Sequence, residues 1–134
     1  MFKQKSNLKK CIKILGEDLE DNKIHPSTVY NAIVSLENSY DMSKFFKSLK
    51  DFYKKMIKTE LKKGINNTLT MGILEGKESV ESIAEDCVYR KIAEAMPTNP
   101  NCERTDLYDL FPKLKKYVEY KKAEDFNESI GGLF

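Results

Sequence analysis

One histidine, three cysteines and a scatter of carboxylates are the groups on this 134-residue chain that could move protons, attack a substrate or hold a metal ion. His25 precedes Pro26 in a helix-initiating turn, which suits a surface or capping role. With no second histidine, neither a His-based zinc site nor a Glu-x-x-His di-iron bundle can be assembled. Cys11, Cys87 and Cys102 are odd in number, widely spaced and free of any C-x-x-C pair, so they suggest neither a disulfide framework nor a zinc site. Glu78, Glu81 and Glu85 fall on one face of a helix and could approach a divalent ion, although bound Mg²⁺ usually needs substrate phosphates as well. No Gly-rich phosphate loop, G-x-S-x-G or Cys/His pairing is present. The inventory reads as that of a non-enzyme with no cofactor.

Lysine is the chemistry-bearing residue that does stand out. Between Asp41 and Asn66, Lys44, Lys47, Lys50, Lys54, Lys55, Lys58, Lys62 and Lys63 face only Asp51 and Glu60. A merely solvated helix face mixes both signs as intrahelical pairs, so an excess of one sign sets a local field for a charged partner. Further lysines flank the first helix, Lys9 and Lys13 among them, and Lys115 and Lys116 lie on the last. Ammonium groups in such number fit phosphate oxygens, and nearby Tyr and Phe residues could stack on unpaired bases. Base-edge readout leans on arginine, and only Arg90 and Arg104 are present, so the expected binding is backbone-directed and weakly sequence-specific.

The element that must carry these lysines is the Asp41–Asn66 run itself. Met42, Phe45, Phe46, Leu49, Phe52, Tyr53, Met56, Ile57, Leu61 and Ile65 recur at three- and four-residue steps, the period of a helix with one buried face. Asp41 can cap its start and Gly64 with Asn66 can stop it. A first helix over 3 to about 20 buries Leu8, Cys11, Ile12, Leu15 and Leu19, and runs from a basic start to an acidic end, against the helix dipole. Pro26 opens a second helix through about Tyr40 that buries Val29, Tyr30, Ile33, Val34 and Leu36. Residues 67–76, with Gly72 and Gly76, read as an irregular or helical connector. Lys77–Met96 is an acidic helix that could lie beside the basic rod and neutralise it. After a loop over Met96–Arg104, a last helix starts near Asp109, with Pro112 in its first turn, and runs to about Glu124. The expectation is all-α: a single domain, 1–125, of about five helices packed around one long central helix, with a C-terminal tail over 126–134.

Composition agrees with that architecture. A hydrophobic share of 40% beside 33% charged residues belongs to a globular chain, and the formal net charge of +2 means that the lysines matter by segregation and not by total. No apolar run approaches the length of a membrane span. The absence of a leader and of paired cysteines points to a reducing, cytoplasmic setting, in which the Asn66-Asn67-Thr68 and Asn127-Glu128-Ser129 sequons have no meaning.

Two resemblances bear on function. The run Pro26-Ser27-Thr28-Val29-Tyr30-Asn31-Ala32-Ile33-Val34-Ser35-Leu36-Glu37 resembles the recognition helix of winged-helix transcription regulators, which would make Ser27, Thr28, Tyr30 and Asn31 candidate DNA contacts. That fold would place a β-wing after it, where this chain has the lysine-rich helix. In size, helicity and charge the chain is similar to the small all-helical subunits of CRISPR effector complexes. The leading expectation is a non-catalytic helical subunit of a larger nucleoprotein complex, in contact with nucleic acid and with other protein subunits but with no membrane. A helical protein-interaction module is the first alternative; an exposed patch of Phe2, Phe126, Ile130, Leu133 and Phe134 would favour it.

Overall fold

The computed structural model describes residues 2–21, 23–67, 69–96 and 104–131, the side chains of 2–6 and 125–131 excepted. These residues form seven helices and no strand: α1 (Phe2–Glu20), α2 (Pro26–Ser35), α3 (Ser39–Lys62), α4 (Met71–Leu74), α5 (Val80–Ala95), α6 (Asp106–Leu110) and α7 (Leu114–Gly131). The count exceeds the expected five because α4 forms within the expected connector over 67–76 and a separate short helix, α6, precedes the last one.

α3 is the longest element, about 36 Å at 1.5 Å of rise per residue. Its start lies two residues earlier than expected, and its cap is Asn38, not Asp41. Asn38 Oδ1 accepts from the Asp41 amide at 2.7 Å while Asn38 Nδ2 donates to Asp41 Oδ2 at 3.1 Å. Asp41 is buried in this reciprocal pairing, which also places a carboxylate in the first turn. The other end stops at Lys62, short of Asn66. Gly64 takes φ +72°, its amide bonds Leu61 O, and the Ile65 amide reaches back to Glu60 O, the Schellman closure that only an unhindered residue accepts readily. Beyond that turn Ile65 is out of helical phase and exposed, contrary to its assignment to the buried stripe.

α3 packs most extensively on α5; α1 lies against α3, α7 against α5, and α2 bridges α1 and α5. Phe45, Leu49 and Ile57 from α3 meet Ala84, Val88 and Ile92 from α5 in one core, with Val29, Ala32 and Ile33 of α2 and Leu114 of α7, all at most 1% exposed. Aromatic rings join the elements in series: Phe111 stacks on Phe46 at 4.2 Å, Phe46 tilts against Tyr89 at 5.4 Å, and Tyr89 stacks on Tyr117 at 5.4 Å.

Several expected core positions lie outside. Ile12, Tyr30 and Val34 are exposed, each on the side of its helix turned away from the core. α2 ends at Ser35, with Leu36 extended at φ −95°, ψ 104°. Its last carbonyls are taken by Arg104: Nη1 donates to Ile33 O at 2.7 Å and Leu36 O at 2.5 Å, and Nη2 to Glu37 O at 3.5 Å. Asp106 holds that guanidinium through both oxygens, at 3.2 and 2.5 Å. A cation at a helix C-terminus is favoured by the dipole and by the free carbonyls.

At its acidic end α1 is tied to α2. Buried Asp18 accepts the His25 amide at 3.1 Å, and His25 Nε2 lies 3.7 Å from Asp18 and 3.8 Å from Asp21. His25 is the N-cap residue of α2, with Pro26 following. α5 is capped by Ser79, whose Oγ accepts from the Ser82 amide at 3.1 Å. Thr70, fully buried, donates to Ile65 O and accepts from the Asn67 amide, which pins the connector ahead of α4.

The last helix begins at Leu114, not near Asp109: the chain breaks at Phe111, and Pro112 falls in the turn between α6 and α7. Its backbone stays helical to Gly131, across the expected boundary at 125. Of the expected loop over Met96–Arg104, residues 97–103 with Cys102 lie outside what is described, as do the side chains of Phe2, Phe126 and Ile130 and all of Leu133 and Phe134. Among the described residues no helix is long and apolar enough to cross a membrane.

Candidate nucleic-acid interface

The buried stripe of α3 turns its lysines to the opposite side. Lys44, Lys47, Lys55, Lys58 and Lys62 are exposed and Lys54 half-buried. From Lys44 to Lys62 the row extends about 27 Å along the helix axis, and the acid that shares its outer face is Asp51.

Whether this row is neutralised from within depends on α5, its acidic neighbour. Lys50 is the lysine that α5 takes: its Nζ lies 3.0 Å from Glu81 Oε1 and 3.9 Å from Glu85 Oε2. The hydrogen bond and charge of Lys50, with a smaller contribution from Lys54, hold the Glu81 carboxyl below its usual range. Lys113 approaches the same Glu85 at 3.8 Å. Among the described residues, none of Lys44, Lys47, Lys54, Lys55, Lys58 and Lys62 has a carboxylate within ion-pair distance. Lys44 instead sits over the ring of Tyr40, 5.4 Å from its centroid.

The remaining sequence candidates are not drawn into that row. Lys9 and Lys13 are exposed on α1, which packs against α3 through its other side. Lys115 and Lys116 are exposed on α7, an element that packs on α5 and α6. Lys115 lines a groove with Asp109 and Glu119, and Lys116 one with Asp86, Glu94, Glu119 and Glu124. Carboxylates therefore dilute the α7 lysines, so the charge on this helix is mixed where the charge on α3 is not.

Both arginines are paired within the chain, Arg104 half-buried and Arg90 at the surface. Arg104 closes α2, and Arg90 pairs with Asp86 one turn away at 3.0 Å. The Arg104 clamp has no local signal in the sequence, because its carbonyl partners are 67 to 71 residues distant.

A polar cleft of about 450 Å³ opens between α5 and α7, lined by Glu78, Glu85, Asp86, Arg90, Lys113 and Tyr117 among others. The Tyr117 hydroxyl donates to Asp86, and burial followed by that carboxylate pushes its pKa up to about 12. Burial likewise raises Tyr89 to about 12 and the Cys87 thiol to about 11. Raised hydroxyl and thiol values make poor nucleophiles at neutral pH. The carboxylate trio singled out as a possible cation site is divided, since Glu81 and Glu85 turn to Lys50. Among the described residues no group of three or more His, Cys, Asp or Glu side chains is arranged to hold a metal ion.

Of the winged-helix contacts, Ser27, Tyr30 and Asn31 are exposed on α2 and Thr28 is buried. The described residues after α2 form α3, and no β-wing accompanies it. No protein-family model matches the chain, and neither the curated proteins nor the solved structures contain a match to it.

Proposed function

We propose that this protein is a non-catalytic, nucleic-acid-associated subunit that contacts the phosphate backbone through the outer face of α3. One observation carries the reading. An acidic helix packs directly against α3 and yet forms ion pairs with Lys50 alone, leaving Lys44, Lys47, Lys55, Lys58 and Lys62 exposed and Lys54 half-buried without an ion-pair partner among the described residues. Lysine ammoniums serve as point charges for phosphates and lack the planar fork that reads base edges, so the binding is backbone-directed. Lys9, Lys13, Lys115 and Lys116 contribute at most to the outer field, and protein subunits of the same assembly are the expected neighbours.

The test is fluorescence anisotropy of labelled oligonucleotides between low and near-physiological salt. Binding should weaken steeply with salt, and the combined Lys47→Glu, Lys54→Glu and Lys58→Glu variant should abolish it. Absence of binding at low salt would defeat the reading. A second reading, a helical protein-interaction module, draws on Tyr30 and Val34, which are 44% and 52% exposed on adjacent turns of α2. A partner retained by the triple lysine variant and lost on Tyr30→Ala with Val34→Ser would favour it.

A further inference from the structure

The phosphate-contacting face of α3 does not consist of charge alone. Tyr40 lies in the second position of the helix, and counting in 3.6-residue turns puts it in line with Lys44, Lys47, Lys54, Lys58 and Lys62. Its side chain is 66% exposed, unusual for a large aromatic with a core one turn away. Phe45 and Leu49 on the same helix show that this core had room for apolar side chains on the other face. Tyr40 is held outward, with the Lys44 ammonium 5.4 Å from its ring centroid.

An exposed ring at the head of a lysine row supplies the two components that single-strand binding needs: a track for the backbone and a π-face for a base. Duplex DNA offers only the first, because its bases are already stacked on one another. The other strongly exposed tyrosine, Tyr120, does not match this arrangement, since its groove mixes Asp86, Glu94, Glu119 and Glu124 with Arg90, Lys116 and Lys121 instead of presenting a row of one sign. Carboxylates there oppose a polyanion; at Tyr40 the ammonium of Lys44 lies over the ring.

We infer that the α3 face binds single-stranded polynucleotide, with an unpaired base stacked on Tyr40 and the chain running along the lysine row toward Lys62. The inference rests on the phosphate-contact reading and adds the strandedness of the ligand and the residue that selects it. With about six contacts, the logarithm of the binding constant should fall against the logarithm of salt with a slope of about −4 for a single strand.

The experiment compares the wild-type chain with Tyr40→Ala, Tyr40→Phe and the Lys47→Glu/Lys54→Glu/Lys58→Glu variant. The probes are a single-stranded DNA, the same sequence as RNA, its DNA duplex, and a single strand made of abasic sites. Tyr40→Ala should weaken binding to both single strands by about fivefold or more, the loss typical of one base–aromatic stack. Tyr40→Phe should bind like the wild type, and neither change should alter affinity for the duplex or the abasic strand. Equal affinity of wild type and Tyr40→Ala for single strands would overturn the stacking role while leaving phosphate contact standing. Unchanged binding of the triple lysine variant to every probe would bring down the phosphate reading itself. A loss limited to the DNA or to the RNA strand would support stacking and identify the natural polymer. Because Tyr40 is outside the core, thermal melts of its variants should overlay the wild type.

Discussion

Lys50 reaches from α3 to α5 and places its ammonium 3.0 Å from Glu81 and 3.9 Å from Glu85, while its neighbours on the outer face meet no carboxylate at that range among the described residues. The helix thus sorts its lysines into one that joins two elements and a set that faces outward. Chemical type alone could not have made that division.

The sorting can be measured. Lys50→Gln should leave oligonucleotide affinity within about twofold of wild type, because its charge is already balanced by Glu81 and Glu85. Lys58→Gln should lower the salt slope on duplex DNA by about one, as expected for loss of one phosphate contact. Salt titrations by anisotropy distinguish the two; equal effects of both substitutions would contradict the division.

Phe45 is fully buried where α3 meets α5. Phe45→Ala should lose about 3–5 kcal/mol of stability from removed transfer energy and a residual cavity, seen as a lower denaturation midpoint in urea. Phe45→Leu, which refills most of the volume, should lose less.

Arg104 and Asp106 together close α2, and the guanidinium beside Asp106 holds that carboxyl below its usual range. A carboxyl whose pKa is lower folded than unfolded stabilises the fold above its unfolded value, near pH 4. It loses that contribution as pH falls through the folded value. Acid unfolding of Asp106→Asn should therefore begin from a lower plateau and show a shallower dependence below pH 4. Arg104→Ala leaves carbonyls of α2 without a donor and should be the more damaging, by about 1–3 kcal/mol at neutral pH. Arg104→Lys should not fully restore stability, since one ammonium cannot reproduce the fork. Urea melts at several pH values test all three.

Half-buried Cys87 has its thiol pushed up to about 11, first by burial and then by the charge of Asp86. At pH 8 only about one in a thousand of such thiols is ionised, and the thiolate is the reactive form. Iodoacetamide footprinting with mass spectrometry should find Cys87 nearly unmodified in the native protein at pH 8 and fully modified in urea. Fast native labelling would contradict the burial described.

How far the sequence could be read depended on the range of the cause. The α3 stripe was legible because Phe45, Leu49, Phe52 and Ile57 repeat with the helix itself, and its stop because Gly64 is a local backbone requirement. Asn38 and Asp41 can both cap a helix, and the structure uses Asn38, with Asp41 one turn inside. A helical period also identifies an apolar face without saying how much of it a neighbour covers, which is why Ile12, Tyr30 and Val34 proved exposed. Of the candidate site, the lysine row on α3 was visible at once. That α7 lysines would share grooves with Glu119 and Glu124, or that Arg104 would serve α2, depended on contacts between distant segments.

The chain of rings from Phe111 through Phe46 and Tyr89 to Tyr117 crosses three separate segments of the polypeptide, with each inner ring in contact with two others. It therefore couples the local openings of α3, α5 and the start of α7 into one event. The slowest backbone amides in these three elements should share one opening free energy by hydrogen exchange, and replacing Phe46 by alanine should split that value into separate classes.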